Sequence, residues 1–400
     1  MHQQSRRSFE TIASDPADSG AQRTAAYLTA LHALAPLVAE HRETFDRQRR
    51  IPDPVFEALA DAGLFRLWLP KALGGPELSP LEFMTVIEAA SALDGTVGWL
   101  IGNGAGMSRA GGYLPASVAG EWFSDPRAFM VSATGAVGTA IPVEGGYRVS
   151  ARWPFGSGAP HATHFMGLAS VKGEDGRDQP PICCYLTRDQ VTLHDTWHVS
   201  GLRGTASWDF EAQEAFVPTN RTHPFLDHQP TQPGLLYRIP PLSIFPASIS
   251  ALPLGIARGA IGTFAQLASR KSRQGTGALL SEREIVQATV GRAVATYRAA
   301  RAFLAEAMNE LMAAVGSGGD QLVRARIEFR TSCAHAAESA LRIVDSLAAE
   351  AGTAAIFEAS PLERAIRDVH TAVKHVAMTP NTYIVAGRLG LGLDPGAGRF

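Results

Sequence analysis

Val143-Glu144-Gly145-Gly146-Tyr147-Arg148-Val149-Ser150-Ala151-Arg152-Trp153-Pro154-Phe155-Gly156-Ser157-Gly158 decides how this chain is read. Gly145-Gly146 is a turn. Tyr147 to Trp153 then alternates at period two, as a half-buried strand does. Phe-Gly-Ser-Gly makes a second turn. Phe129-Met130-Val131 opens an extended segment upstream. Phe165–Val171, Pro181–Leu186, Val191–Trp197 and Trp208–Val217 follow as further short β runs. Short strands between turn residues predict a small barrel or sandwich.

Helical periodicity flanks this region. Leu28, Leu31, Leu34 and Val38 fall on one face. Asp53-Pro54 reads as an N-cap with proline behind it, and Ser79-Pro80-Leu81-Glu82 as a capping box. Asp94-Gly95 precedes an apolar helix at about Val97–Met107. Longer helices are predicted over Ala251–Ser269, Ser281–Ala314, Leu322–Ala351 and Pro361–Ala377. Ser281/Glu284 and Ser360/Glu363 read as further capping boxes. Small residues along several faces suggest a four-helix bundle. The expected organisation is α+β and multidomain: an N-terminal helical domain over residues 20–128, a small β-barrel over 129–235 and a helical bundle over 236–395. The first twenty residues are polar and expected to fray.

Composition narrows the function classes. Of 400 residues, 46% are hydrophobic, enough for a large core. Net charge is −2 with no basic stripe, so nucleic acid is not an expected partner. Charged residues make up only 18%, and this, with Ala/Gly-rich helices, predicts a homotetramer around the bundle. Cys183, Cys184 and Cys333 form neither a disulfide framework nor a metal pair, which fits a reducing cytoplasm. No signal peptide is expected, because the N-terminus lacks an apolar core segment. Four prolines interrupt the most apolar stretch, Ile239–Ile261, so no membrane span is expected. Gly102-x-Gly104-x-Gly106 and Gly387-x-x-Gly390-x-Gly392 do not follow strands, so no dinucleotide fold is expected.

Local sequences then point to a family. Val143–Gly158 is followed by Asp195-Thr196-Trp197, Gly201-Leu202-Arg203-Gly204-Thr205-Ala206-Ser207 and Phe216-Val217-Pro218. Gly352-Thr353-Ala354, Ser360-Pro361-Leu362-Glu363-Arg364 and Arg367-Asp368-Val369-His370 come later. In this order they resemble the acyl-CoA dehydrogenase superfamily over residues 25 to 390, and within it the two-component flavin monooxygenase branch. Each motif is weak alone; order and spacing carry the resemblance.

The residues help to choose between the branches. A dehydrogenase needs a carboxylate base beside the flavin. The resemblance implies that it would fall at or next to Val376, or on the first bundle helix. Val369–Leu393 and His228–Ser281 contain no Asp or Glu. An oxygenase instead needs a hydrogen-bond partner at flavin N5, and a histidine near the oxygen being transferred. The resemblance assigns these roles to Ser157 and His375, working through a C4a-hydroperoxyflavin formed from reduced flavin (FADH₂ or FMNH₂) and O₂. It places Ser132, Thr134, Trp153, Phe155 and Gly156 around the flavin, and Arg270 on the flavin phosphate of a neighbouring subunit. Trp99 and His161 are expected to wall the substrate pocket. With no visible NAD(P)H site, a separate reductase is expected to supply the flavin. The substrate is expected to be a small, aromatic molecule. A flavin oxidase or dehydrogenase with a relocated base, and a non-catalytic small-molecule-binding relative, remain open on sequence alone.

Overall fold

The computed structural model describes residues 20–226, 229–272 and 277–396. Five α-helices come first: α1 (Gly20–Gln48), α2 (Asp53–Asp61), α3 (Pro80–Leu93), α4 (Gly95–Met107) and α5 (Ala116–Trp122). The Ser79 capping box forms: Ser79 Oγ accepts from Glu82 N at 3.3 Å, and Glu82 Oε2 accepts from Ser79 N at 2.7 Å. Asp94 caps α4, its Oδ1 accepting from Thr96 N at 2.9 Å. Asp53 is already the first residue of α2, so the cap position is Pro52, one residue earlier than expected.

Seven strands follow: β1 (Met130–Val143), β2 (Gly146–Gly156), β3 (His164–Lys172), β4 (Asp178–Thr187), β5 (Thr192–His194), β6 (Trp208–Pro218) and β7 (Thr222–Pro224). They form one sheet in the order β5-β6-β2-β1-β3-β4-β7. Only β1 and β3 pair in parallel; the other neighbours are antiparallel. The end strands β5 and β7 do not pair with each other, so the sheet stays open rather than closing as a hydrogen-bonded barrel. β5 is shorter than its apolar pattern suggests. Asp195 leaves the ladder to grip Arg49 through two contacts of 2.6 Å, and Thr196 turns to Asp209 at 2.8 Å.

Helices then return: α6 (Pro241–Ala247), α7 (Leu252–Ala268), α8 (Glu284–Ser317), α9 (Gly319–Ala351), α10 (Pro361–Ala372) and α11 (Thr382–Gly390). The two capping boxes expected here do not form. Glu282, not Glu284, reaches back, accepting from Leu279 N at 2.9 Å and closing a short turn ahead of α8. Glu363 is instead engaged by Arg367 at 2.6 Å. Pro241–Ala268 is long and apolar enough to cross a membrane, but it is mostly buried within the protein. It forms α6 and α7, a composition that suits a core helix equally well. One continuous core, from Tyr27 to Met378, runs through all three segments and fixes the sheet against the helices.

Candidate active site

The turn that ends β2 is held in a demanding conformation. Pairing of β2 with β6 is irregular between Trp153 and Gly156. Phe155 has φ 66° and Gly158 φ 84°, the left-handed region that costs a side chain about 1 kcal/mol or more. A Cβ at Gly158 would meet the Phe129 ring at 2.5 Å. Gly158 N donates to Thr205 O at 2.7 Å, tying the turn to the Gly201–Ser207 loop. Ser157, only 7% exposed, is therefore locked in place.

Two helical segments meet it. Trp99 of α4 donates its indole N–H to Ser157 Oγ at 2.9 Å. The His375 ring lies 5.8 Å from the Trp99 ring, at 70° to it. His375 is not on the last bundle helix, as the periodicity suggested. α10 ends at Ala372, and His375 has extended backbone (φ −66°, ψ 139°) at the head of a short turn. Its Nδ1 accepts from Ala377 N at 3.1 Å, and Arg330 holds the Val376 carbonyl at 2.8 Å. His370, on α10 itself, pairs instead with Asp345 at 2.9 Å. His375 keeps part of its surface exposed on this chain. Surrounding protein still desolvates the ring and, with Arg330, pushes its pKa down to about 4. A neutral ring that accepts at Nδ1 carries its proton on Nε2, so His375 presents a donor.

Other expected residues scatter. Phe155 is 64% exposed and stands edge-on to Trp197, ring centroids 6.3 Å apart. Ser132 is half-buried on β1, and Thr134 is exposed where β1 loses register with β3. Trp153 is a correction: it has no exposed surface, stacks on Phe210 at 5.1 Å and donates to Leu168 O at 2.9 Å. It faces the sheet's core and has no free surface for a flavin. Gly156 is required by packing, since a Cβ there would lie 2.8 Å from Trp208 O. His161 is a second correction. It stacks on Phe56 with centroids 4.3 Å apart and bonds to Ile51 O at 3.0 Å, so it docks the turn onto α2 and does not wall a pocket. Arg270 is exposed just beyond α7. Its neighbour Lys271 donates to Ala351 O at 2.8 Å, capping α9, while Arg273 lies outside the described residues.

Sequence reading gave no role to Thr205, Ser207 or Arg330. Ser157 Oγ lies 2.8 Å from Ser207 Oγ, which lies 2.7 Å from Thr205 Oγ1. Thr205 Oγ1 donates to Leu202 O at 2.9 Å. The Gly-Thr-Ala-Ser motif was visible, but nothing in it told which hydroxyl would meet which.

Several features fit a flavin. Phe155 and Trp197 offer apolar ring surface beside a buried polar row, which is what a flat, polar-edged heterocycle requires. Among the described residues no carboxylate hydrogen-bonds to Ser157, Trp99 or His375, and no His/Cys/Asp/Glu cluster could hold a metal.

Comparisons with known proteins agree. Residues 23–111 match the acyl-CoA dehydrogenase N-terminal domain, and residues 247–380 its C-terminal domain. The chain is 32% identical over 356 residues to an indole-3-acetate monooxygenase of Pseudomonas putida, covering 88% of this chain and 90% of that one. It is 28% identical to the flavin-dependent monooxygenase oxygenase subunit HsaA of Rhodococcus jostii, covering 91% and 97%. The crystal structure of 3-HSA hydroxylase from Rhodococcus sp. RHA1 superimposes with a TM-score of 0.85 at 26% identity, covering 93% and 98%. XiaF from Streptomyces sp., solved with FADH2 and glycerol, shares the fold with a TM-score of 0.87 at 24% identity, covering 95% and 98%. The chain belongs to the acyl-CoA dehydrogenase superfamily, in its flavin-dependent monooxygenase branch.

Proposed function

We propose that this protein is the oxygenase component of a two-component monooxygenase, which uses reduced flavin and O₂ to hydroxylate a small aromatic substrate. One observation carries the reading: Ser157 and His375 converge on Trp99, and among the described residues no carboxylate hydrogen-bonds to any of the three. Bound reduced flavin supplies the electrons that activate O₂. Ser157 holds a hydrogen bond at the edge of the flavin ring, near N5. Phe155 and Trp197 give the ring apolar surface, and Ser132 and Thr134 line the β1 side. Trp99 fixes Ser157 through its indole N–H. His375 presents Nε2–H to the substrate oxygen. The curated relatives named for indole-3-acetate and resorcinol support an aromatic substrate.

A separate NAD(P)H:flavin reductase belongs to the same proposal, as two-component relatives imply. So does a homotetramer. Ile356, Phe357, Val376, Ile384, Leu391 and Leu393 are exposed apolar side chains near the C-terminus, more than a monomer surface would favour. In a neighbouring subunit Arg270 would reach the flavin phosphate. The three cysteines are free and buried, which supports a cytoplasmic setting.

The test mixes protein and anaerobically reduced FAD or FMN with O₂ and a panel of phenols and indoles, without NADH. Mass spectrometry should find a product one oxygen heavier. Tightly bound oxidised FAD that an acyl thioester bleaches without O₂ would overturn the reading in favour of a dehydrogenase. No flavin binding at all would leave only a binding protein.

A further inference from the structure

The four hydrogen bonds of the buried row allow a single order of protons. Leu202 O is a carbonyl and can only accept, so Thr205 gives it its one hydroxyl proton at 2.9 Å. Thr205 must then accept from Ser207 at 2.7 Å. Ser207, its proton used, must accept from Ser157 at 2.8 Å. Trp99, whose indole is a donor only, fills one lone pair of Ser157 at 2.9 Å. Ser157 is left with no proton to give and one lone pair to offer. Every hydroxyl in the row is at least 93% buried, with Thr205 1% and Ser207 2% exposed, so water does not scramble this order. The anchor is firm as well. Leu202 sits in the left-handed region at φ 51°, its N–H held by Asp368 at 2.6 Å and its carbonyl also accepting from the Trp197 indole at 3.0 Å.

We propose that the Trp99–Ser157–Ser207–Thr205 row selects the oxidation state of the flavin, with Thr205 and Ser207 as positioning residues that keep Ser157 an acceptor. The inference rests on the placement of Ser157 at flavin N5. Reduced flavin carries N5–H, a donor that a lone pair accepts. Oxidised flavin has a bare N5 lone pair, which meets the lone pair of Ser157 with no proton between them. A chain that borrows reduced flavin from another protein gains from this discrimination, because spent flavin leaves and does not block the site.

Binding measures this directly. Dissociation constants of FAD and FMN, oxidised in air and reduced under anaerobic dithionite, are read by quenching of tryptophan fluorescence. The wild type should bind the reduced form more tightly. Thr205→Val keeps the side chain's shape but removes the row's acceptor. Ser207 is then free to donate to Ser157, and Ser157 to turn its proton outward. The preference for reduced flavin should shrink about tenfold, mostly through tighter oxidised binding. Ser207→Ala should act in the same direction, while Thr205→Ser should retain the wild-type ratio. A merely structural row would change melting temperature and leave the ratio alone. If Thr205→Val and Ser207→Ala keep the wild-type ratio while Ser157→Ala collapses it, the selection idea is wrong but Ser157 still meets the flavin. If Ser157→Ala shifts neither constant, the placement of Ser157 at N5 fails and this inference falls with it.

Discussion

The Leu202 N–H donates to Asp368 Oδ1 at 2.6 Å, joining the β-domain loop to α10 across 166 residues of sequence. Asp368 is fully buried beside Asp94. Burial, then the neighbouring Asp94 charge, push its pKa up to about 7. The folded state therefore holds this proton more tightly than the unfolded chain. The stabilisation is fully present below about pH 4 and is lost as pH rises towards 7. Asp368→Asn keeps an oxygen for Leu202 and removes the buried charge. It should raise stability at pH 8 by on the order of 1–3 kcal/mol and little at pH 4. Urea unfolding of both proteins at the two pH values checks this. A variant less stable at pH 8 would show that the charge is needed.

His375 should act as a hydrogen-bond donor that is neutral throughout the working range. With its pKa down to about 4, it contributes no inflection near the usual histidine value of 6.5. His375→Ala should lower product formation by ~10²-fold, the order found for one positioned donor. His375→Asn, which restores an N–H, should recover part of the loss. A rate profile that falls between pH 7 and 6 and flattens in His375→Ala would contradict the assignment.

Ser157→Ala should still turn over reduced flavin but waste it. The loss of one positioned hydrogen bond costs about 1–3 kcal/mol. Hydrogen peroxide released per flavin consumed should rise at the expense of product. Simultaneous peroxide assay and product quantification would expose unchanged coupling, the outcome that removes Ser157 from the site.

Gly158→Ala should damage the turn. The new Cβ would meet Phe129 at 2.5 Å and take φ 84°. Together these cost about 2–4 kcal/mol. A melting temperature within a degree of wild type would mean the turn is softer than its packing suggests. Gly145→Ala, also at positive φ but with nothing closer than 4.0 Å, should cost about 1 kcal/mol.

Local sequence sets the order of helices and strands and the turn at Phe155–Gly158, and it leaves residues 369–393 and 228–281 without an acidic side chain. The first two follow from local periodicity and turn chemistry, which act over a few residues; that a base would stand there in a dehydrogenase is what the family resemblance implies. The resemblance brought Trp99, Ser157 and His375 forward as candidates. How they meet is set by packing across the chain: Trp99 and Ser157 are 58 residues apart, and Ser157 and Ser207 are 50. Alternation along β2 separates two faces but does not say which one is buried. Trp153 and Phe155 therefore looked equivalent, until Phe210 and the Leu168 carbonyl claimed Trp153 and the irregularity before Gly156 turned Phe155 outward. His161 likewise borders the right turn but spends its ring on Phe56 and Ile51. The proton order behind Ser157 lies further still from sequence, because a hydroxyl's role is fixed only by the partner that packing brings to it.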